Sequence, residues 1–223
     1  MSDMPTAPLA PLVTGLVPSE AAQPPVEVTA ARKRPKPGER RIQILQALAE
    51  MLEQPGADRI TTAALASRLS VSEAALYRHF ASKAQMFEGL IEFIESSVFS
   101  LINQIAEREP AGRAQAARMV QVLLQFGERN PGMARVMVGD ALVFENERLG
   151  VRMSQFFDRV ESQLRAALRT AAEQEGSATP TVDANGQASA LTCLVIGRLQ
   201  RFARSGFKRL PTEQLDVALR LLA

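Results

Sequence analysis

The sequence predicts an all-α protein of 223 residues arranged in two helical parts. Apolar residues recur at spacings of three and four through most of the chain after residue 39, which is the period of an amphipathic helix. No segment has the alternating pattern of a strand, and the sequence contains no internal repeat. A hydrophobic content of 46% is enough to bury a substantial core.

Residues 1–38 precede the helical part and are rich in proline and alanine, without a helical period. We expect them to be disordered, because they bury too little apolar surface to offset the entropy of ordering. The basic residues at the end of this segment and just after it outnumber Glu39 by six to one: Arg32, Lys33, Arg34, Lys36, Arg40 and Arg41. Such a run favours a polyanionic partner.

Four helices are predicted in the first half of the chain. The first begins at Glu39 and ends before QPGAD, where Pro55 and Gly56 close it, with the stripe Ile42, Leu45, Leu48, Ala49 and Leu52. The second begins after Thr61 or Thr62 as its N-cap and faces inward with Ala63, Leu65, Ala66 and Leu69. The third begins after Ser72 and buries Ala75, Leu76 and Phe80. The fourth starts at Ser82 and runs to about Arg108.

The second half is predicted to be helical over 112–128, in a short helix from Pro131, and over 149–175, 186–205 and 212–222, with a break at GSATPTVDANG. The helix over 149–175 has a long apolar stripe: Met153, Phe156, Phe157, Val160, Leu164, Ala167, Leu168 and Ala171. We expect this stripe to form a homodimer interface with the small-residue face Ala188, Ala190, Cys193 and Gly197. Together they offer more apolar surface than one small domain easily hides.

Composition argues against an enzyme, a metal site and a membrane protein. The chain has one histidine, His79, without the second histidine or HExxH pattern of a zinc site, and no glycine-rich phosphate loop precedes a helix, so no cofactor is expected. Its one cysteine, Cys193, permits no internal disulfide, is predicted to be a buried small hydrophobe and favours an intracellular location. No apolar run reaches the length of a membrane span, and the first residues lack a secretory signal.

Residues 61–80 predict a helix-turn-helix, because two short helices flank the three-residue turn SVS and small Ala66 lies where they must cross. The second of these helices would present its outer side to a major groove: Ser72, Glu73, Ala74, Tyr77, Arg78 and His79. Thr62, Arg40, Arg41 and Lys83 are further candidates for DNA contact, with Lys83 at a helix start suited to a phosphate. Any one of these side chains could instead cap or pack locally.

The segment TTAALASRLSVSEAALYRHFASK resembles the DNA-binding domain of TetR-family proteins. Ser70 stands where such turns commonly have glycine in a left-handed conformation. The resemblance implies a helix-turn-helix domain over 39–83 and a helical dimerisation and partner-binding domain over 84–223. A two-fold dimer would hold two recognition helices about 34 Å apart, so a palindromic DNA site is expected.

Three further segments, RITTAALASRLSVSEAALYRHFASKAQMFEGLIEFIE, FGERNPGMARVMVGDALVFENERL and RFARSGFKRLPTEQLD, are similar to the nucleoid occlusion factors of this family. That similarity implies a cytoplasmic, nucleoid-associated protein that binds specific DNA and, while bound, inhibits assembly of the division GTPase FtsZ. It places the FtsZ surface at Phe93, Val122, Arg129 and Asn130, whereas Leu101 replaces a basic residue and Gln125 a glycine of the family's pattern.

Two alternatives to this assignment stay open from the sequence. GERNPG is also a good helix end, since Gly127 loosens the helix and Pro131 opens the next one, and Phe93 could be a core residue. A ligand-responsive TetR-type transcriptional repressor is the alternative function.

Overall fold

The computed structural model describes residues 38–54 and 59–222, and the regular structure within these ranges is entirely helical, as predicted. The helices are α1 (Glu39–Leu52), α2 (Thr62–Arg68), α3 (Glu73–Tyr77), α4 (Lys83–Arg108), α5 (Gly112–Arg129), α6 (Pro131–Met137), α7 (Glu147–Gln174), α8 (Pro180–Arg204) and α9 (Leu215–Leu222), with a 3-10 turn at Asp140–Leu142. The predictions for the first 37 residues and for Pro55 and Gly56 lie outside the described residues.

Hydroxyl side chains cap the N-termini of three of the first four helices. At Thr61, Ser72 and Ser82 the side-chain oxygen accepts a hydrogen bond from the backbone N–H three residues later, at 3.1, 3.3 and 3.1 Å. Each bond satisfies a donor that the first helical turn otherwise leaves unpaired. The predicted starts of α2, α3 and α4 are confirmed, with Thr61 rather than Thr62 as the first of these caps.

The predicted break at GSATPTVDANG is wrong over most of its length. Helix α8 begins at Pro180, because proline fits the first position of a helix, where its missing N–H costs no bond. Asp183 in the first turn accepts hydrogen bonds from Ser177 Oγ at 2.5 Å and Thr179 Oγ1 at 3.2 Å. The polar residues that suggested a loop therefore stabilise the first turn of a helix.

The apolar stripe of α7 lies inside the chain, where α8, α5 and α4 cover it. All eight of its residues are buried: Met153, Phe156, Phe157, Val160, Leu164, Ala167, Leu168 and Ala171. The prediction that this stripe forms a dimer interface is therefore wrong, and Ala188 is likewise buried within the chain. Helical periodicity identified a buried face without showing which helices cover it.

Three residues predicted to face inward are exposed. Ile42 on α1 is 52% exposed, because α1 buries Ile44 instead. Ala63 is exposed on the first turn of α2, and Cys193 is exposed on α8, where the buried neighbours are Leu191, Thr192 and Val195. Each helix presents a narrower buried face than its apolar composition suggested.

Helices α1 and α6 cross at very close range through Gly132. A Cβ atom built on Gly132 would lie 2.2 Å from the carbonyl oxygen of Ala49, well inside van der Waals contact. Only glycine permits this approach without moving a helix. The crossing therefore fixes α1, the first helix of the predicted DNA-binding domain, against the body of the protein.

Replacing Gly132 with alanine is expected to lower the free energy of unfolding by about 2 kcal/mol, because the added methyl group forces α1 and α6 apart. Thermal or denaturant unfolding followed by circular dichroism measures the change. Gly150→Ala on α7 is the matched control, since a Cβ there meets nothing within 4 Å and alanine favours a helix. Equal stability of Gly132→Ala and wild type would contradict the close crossing.

Ion pairs join the first half of α4 to the start of α7. Arg148 pairs with Glu88 at 2.9 Å and Arg152 with Glu95 at 2.6 Å. Lys83, the first residue of α4, pairs with Glu145 just before α7. These contacts fix the N-terminal half of α4 to the start of α7.

No helix within the described ranges is long and apolar enough to cross a membrane. Within those same ranges, no group of three or more histidine, cysteine, aspartate or glutamate side chains could hold a metal ion.

Candidate nucleic-acid interface and partner groove

Helices α2 and α3 form a compact helix-turn-helix around four buried side chains: Leu65, Ala66, Leu76 and Phe80. The turn between them closes through a 3.0 Å hydrogen bond from the Val71 N–H to the Ala66 carbonyl. Ser70 has a φ of 53°, so the left-handed turn predicted at this position is present. The turn fixes how α3 projects from the protein.

Ser70→Gly is expected to raise the free energy of unfolding by about 1 kcal/mol, because glycine adopts a positive φ without the clash of a Cβ. Denaturant unfolding of the variant and wild type measures the difference. Ser67→Gly in α2 is the control: Ser67 is exposed and helical, so the same chemical change there should reduce stability. A loss of stability in both variants would show that the turn is not strained.

The segment from the N-cap of α3 to the turn after it is exposed at all the predicted positions: Ser72, Glu73, Ala74, Tyr77, Arg78 and His79. Tyr77 is 46% exposed, which leaves its ring available for contact. The placement of His79 on this helix is wrong, because α3 ends at Tyr77 and Arg78 is its C-cap. His79 lies in the following turn, where its N–H donates to the Leu76 carbonyl at 2.9 Å.

Two further DNA candidates make contacts inside the helix-turn-helix. Thr62 Oγ1 donates to the Glu73 carboxylate at 2.5 Å, joining the first turns of α2 and α3. Arg41 donates to the His79 carbonyl at 3.2 Å and stacks 4.2 Å from the centre of the Phe80 ring. Arg41 therefore fixes the start of α1 to the end of residues 72–80, the recognition segment. Arg40 beside it is half-buried.

Lys83 is already engaged by a carboxylate of the body. Its side chain is 24% exposed and pairs with Glu145, whose side chain is 8% exposed. The same ammonium lies 5.7 Å from the centre of the Phe87 ring. A DNA phosphate at the start of α4 would compete with Glu145 for this charge.

The residues assigned to a partner surface by family similarity lie on α4 (Phe93), on α5 (Val122 and Arg129) and at the C-cap of α5 (Asn130). The Phe93 ring lies 6.3 Å from that of buried Phe126, and half-buried Phe93 both packs against the core and lines a groove. Val122, Phe126 and Arg129 share one side of α5 by helical spacing. The Asn130 amide donates to the Phe126 carbonyl at 2.8 Å and closes the end of α5.

An apolar groove of about 230 Å³ adjoins this surface. Its walls come from α1, α4, the end of α5 and α6: Ile42, Leu45, Gln46, Ala49, Glu53, Leu90, Phe93, Asn130 and Met133. Burial raises the pKa of the Glu53 carboxyl at its edge, a hydrogen bond from the Gly132 N–H opposes that rise, and repulsion by Glu50 adds to it. The groove suits an apolar segment that has a few polar partners.

The α1 wall of this groove could not be identified from the sequence. Periodicity placed Ile42 and Leu45 in the core, although both line the groove. Ile42 is exposed there and Leu45 is partly buried. The available signal was Ile44, which precedes Leu48 by four residues and Leu52 by eight and so shares their buried side of α1.

Two family models match the chain. Residues 44–90 match the model described as bacterial regulatory proteins, tetR family. Residues 113–223 match the SlmA-like model described as tetracyclin repressor-like, C-terminal domain. The matches include the helix-turn-helix and most of the helices that follow it.

Curated relatives are identical to this chain at about half of the aligned residues. The nucleoid occlusion factor SlmA of Vibrio cholerae serotype O1 is 55% identical over 185 residues, which cover 82% of this chain and 94% of the relative. The nucleoid occlusion factor SlmA of Aliivibrio fischeri strain MJ11 is 52% identical over 190 residues, which cover 85% of this chain and 96% of that relative. The similarity therefore extends over nearly the full length of both relatives.

A solved structure with lower identity has the same fold. The TetR family transcriptional regulator PfmR from Thermus thermophilus matches with a TM-score of 0.65 at 22% identity, over 81% of this chain and 96% of that one. At this level of identity the likeness concerns the fold alone.

Proposed function

Because the chain belongs to the SlmA family of nucleoid occlusion factors, with a TetR-type N-terminal part, we propose that it inhibits FtsZ assembly while it is bound to DNA as a homodimer. It is a DNA-binding nucleoid occlusion factor. Four features are proposed beyond this family assignment: FtsZ as the inhibited partner, a homodimer, a palindromic DNA site and the residues that make each contact.

The exposed side of α3 supports direct reading of DNA. Tyr77 and Arg78 project from the end of a short helix that a major groove accepts. Arg78 can bind the edge of a guanine or a phosphate, and Tyr77 can contact a base or the backbone. In this proposal Thr62 and Glu73 orient one another as well as contacting DNA, and Arg41 holds the recognition segment in place.

An exposed face of α8 supports the homodimer. Val182 is 68% exposed, and Gly186, Ala190 and Cys193 follow it at helical spacing on the exposed side. Small side chains allow a second copy of the helix to approach closely, and a Cβ on Gly186 or Gly197 would meet nothing within 4 Å of this chain. A symmetric pairing along this face would bury Cys193.

The observation that carries the FtsZ proposal is an apolar groove lined by Phe93 and Asn130, at the end of the helix that also bears Val122 and Arg129. Phe93 and the α1 residues offer an apolar floor for a partner segment. Exposed Arg129 offers a planar donor fork to a carboxylate of that segment. This combination of an apolar floor and a cationic rim suits a short peptide that contains both apolar and acidic residues.

The groove also gives a physical reason for inhibition to depend on DNA. One wall is α1, and Arg41 ties α1 to the His79 carbonyl and to Phe80 directly after the recognition helix. We expect docking of α3 in DNA to shift α1 and thereby alter the width of the groove. The partner would then bind the two DNA states with different affinities.

Sedimentation of FtsZ polymers tests the proposal. FtsZ with GTP is pelleted alone, with this protein, and with this protein plus a duplex that it selects from a random library. Fewer polymers should pellet with the protein and its selected duplex than with the protein alone. A scrambled duplex of equal length is the control for charge.

Unchanged polymer yield in every mixture would reject FtsZ as the partner. Release from the selected duplex by a small molecule would then favour the ligand-responsive repressor. Inhibition without any DNA, at the same protein concentration, would retain the partner but reject the link to DNA.

A further inference from the structure

A concentration of positive charge lies where α8 ends, on residues that are assigned neither to DNA nor to FtsZ. Five cationic residues occur within this short stretch: Arg198, Arg201, Arg204, Lys208 and Arg209. Arg198 is held by the backbone, since it donates to the carbonyls of Pro211 and Glu213 at 2.9 and 2.7 Å. Arg204 lies 3.7 Å from Asp140.

Arg201, Lys208 and Arg209 are exposed and have no carboxylate partner within the described part of the chain. Positive side chains at the end of a helix stabilise its dipole, which is a structural reason for some of this charge. That reason does not extend to Lys208 and Arg209, which follow the helix in a loop.

The loop is fixed in a conformation that holds these charges in place. Gly206 and Phe207 both have a positive φ, of 63° and 64°, which is unfavourable for a bulky residue such as phenylalanine. The Phe207 N–H donates to the Phe202 carbonyl at 3.0 Å, and the two rings lie 5.2 Å apart. Ser205 Oγ accepts hydrogen bonds from the N–H groups of the next two cationic residues, at 3.2 and 3.0 Å.

Two cavities share Arg201 and Arg209 in their walls. The smaller, of about 240 Å³, is completed by Arg198, Leu210, Pro211, Glu213 and Gln214. The larger, an open surface depression of about 450 Å³, is completed by Gln200, Arg204 and Ser205. Like charges in the wall of one small cavity repel each other, so an oxyanion between them would be stabilised.

We propose that this arginine pocket, formed by Arg198, Arg201, Arg209 and the loop over 205–214, binds an acidic peptide segment of a partner protein. The guanidinium groups of Arg201 and Arg209 can each donate two parallel hydrogen bonds to a carboxylate. Leu210, which is 50% exposed, offers an apolar contact for a neighbouring side chain of the peptide. The site involves neither the recognition helix nor the apolar groove.

The shape and lining of the pocket favour a peptide over a nucleic acid or a lipid surface. A cavity of about 240 Å³ admits one acidic side chain, whereas the phosphates of a duplex lie on a convex rod and those of a bilayer on a plane. Glu213 in the wall would repel a dense array of phosphates but leaves room for one carboxylate between the arginines.

Fluorescence anisotropy of a labelled peptide with alternating aspartate and leucine tests the proposal in the full-length Arg129→Asp variant, in which the apolar groove has lost the cationic side chain proposed at its rim. The same peptide with asparagine in place of aspartate is the neutral control. We expect the acidic peptide to bind about tenfold more tightly than the neutral one. Arg209→Gln should weaken its binding by a similar factor, and Arg209→Lys, which keeps the charge without the fork, by less.

Arg169→Gln is the matched control for net charge, since Arg169 is exposed on α7 and pairs with Glu173 at 2.9 Å. It should leave peptide binding unchanged. Equal weakening by both glutamine variants, or equal binding of both peptides, would overturn the proposal in favour of general attraction. The binding of a non-specific duplex and of anionic vesicles is measured in the same variants. If either depends on Arg209 more strongly than peptide binding does, the site is a phosphate-binding surface and the proposal is overturned.

Discussion

Arg129→Asp is expected to abolish inhibition of FtsZ assembly while DNA binding and dimerisation stay near wild type. Arg129 is exposed in the last turn of α5, beside Asn130 at the edge of the apolar groove. Charge reversal there repels an acidic partner segment without creating a cavity in the core. Affinity for FtsZ should fall at least about tenfold, which sedimentation of polymers and direct binding to FtsZ both measure.

Arg169→Asp provides the matched control for this prediction. Arg169 is an exposed arginine on α7, 2.9 Å from Glu173, and it belongs neither to the groove nor to the residues assigned to FtsZ. Its reversal should leave inhibition intact. If Arg129→Asp instead loses thermal stability and DNA binding together, Arg129 is a structural residue; if it retains full inhibition, FtsZ docks elsewhere on the protein.

Ala190→Glu is expected to convert the proposed dimer into a folded monomer and to weaken binding to a palindromic duplex about 100-fold or more. The exposed position on α8 would place two like charges against each other across a two-fold axis, and a monomer loses the gain of binding two half-sites at once. Sedimentation equilibrium gives the mass, and binding to whole and half palindromes gives the loss.

Ala106→Glu controls for the added charge, because Ala106 is an exposed alanine on α4. It should remain dimeric and bind the duplex normally, with the helical circular dichroism of both variants unchanged. A monomeric Ala190→Glu with full affinity for the palindrome would reject the two-fold mode of binding. A dimeric Ala190→Glu would place the interface on another face.

Local features of the helix-turn-helix were predictable because short-range chemistry determines them. Ser72 caps its own helix through an N–H three residues away, and Ser70 adopts the left-handed turn that its position between two helices demands. The exposure of Tyr77 follows from the burial of Leu76 and Phe80 on the opposite side of a short helix. Each of these features depends only on residues nearby in the chain.

Features that depend on distant contacts were not predictable from the same patterns. Lys83 pairs with Glu145, 62 residues away, and no local signal marks that contact. The stripe of α7 has the periodicity of a buried face, but burial by α8 and burial by a second copy of the chain give the same pattern. Residues such as Phe93, which adjoin both core and groove, were ambiguous for the same reason.

Helix α1 is a wall of the groove and is also bound to the recognition segment through Arg41, and this dual position has a thermodynamic consequence. If DNA raises the affinity for a groove-bound partner by some factor, that partner must raise the affinity for DNA by the same factor. A division protein docked in the groove would thus lengthen the residence of this protein on its DNA sites. Chromosomal occupancy would then rise with the local concentration of the partner, so that the protein reports on the division machinery as well as acting on it.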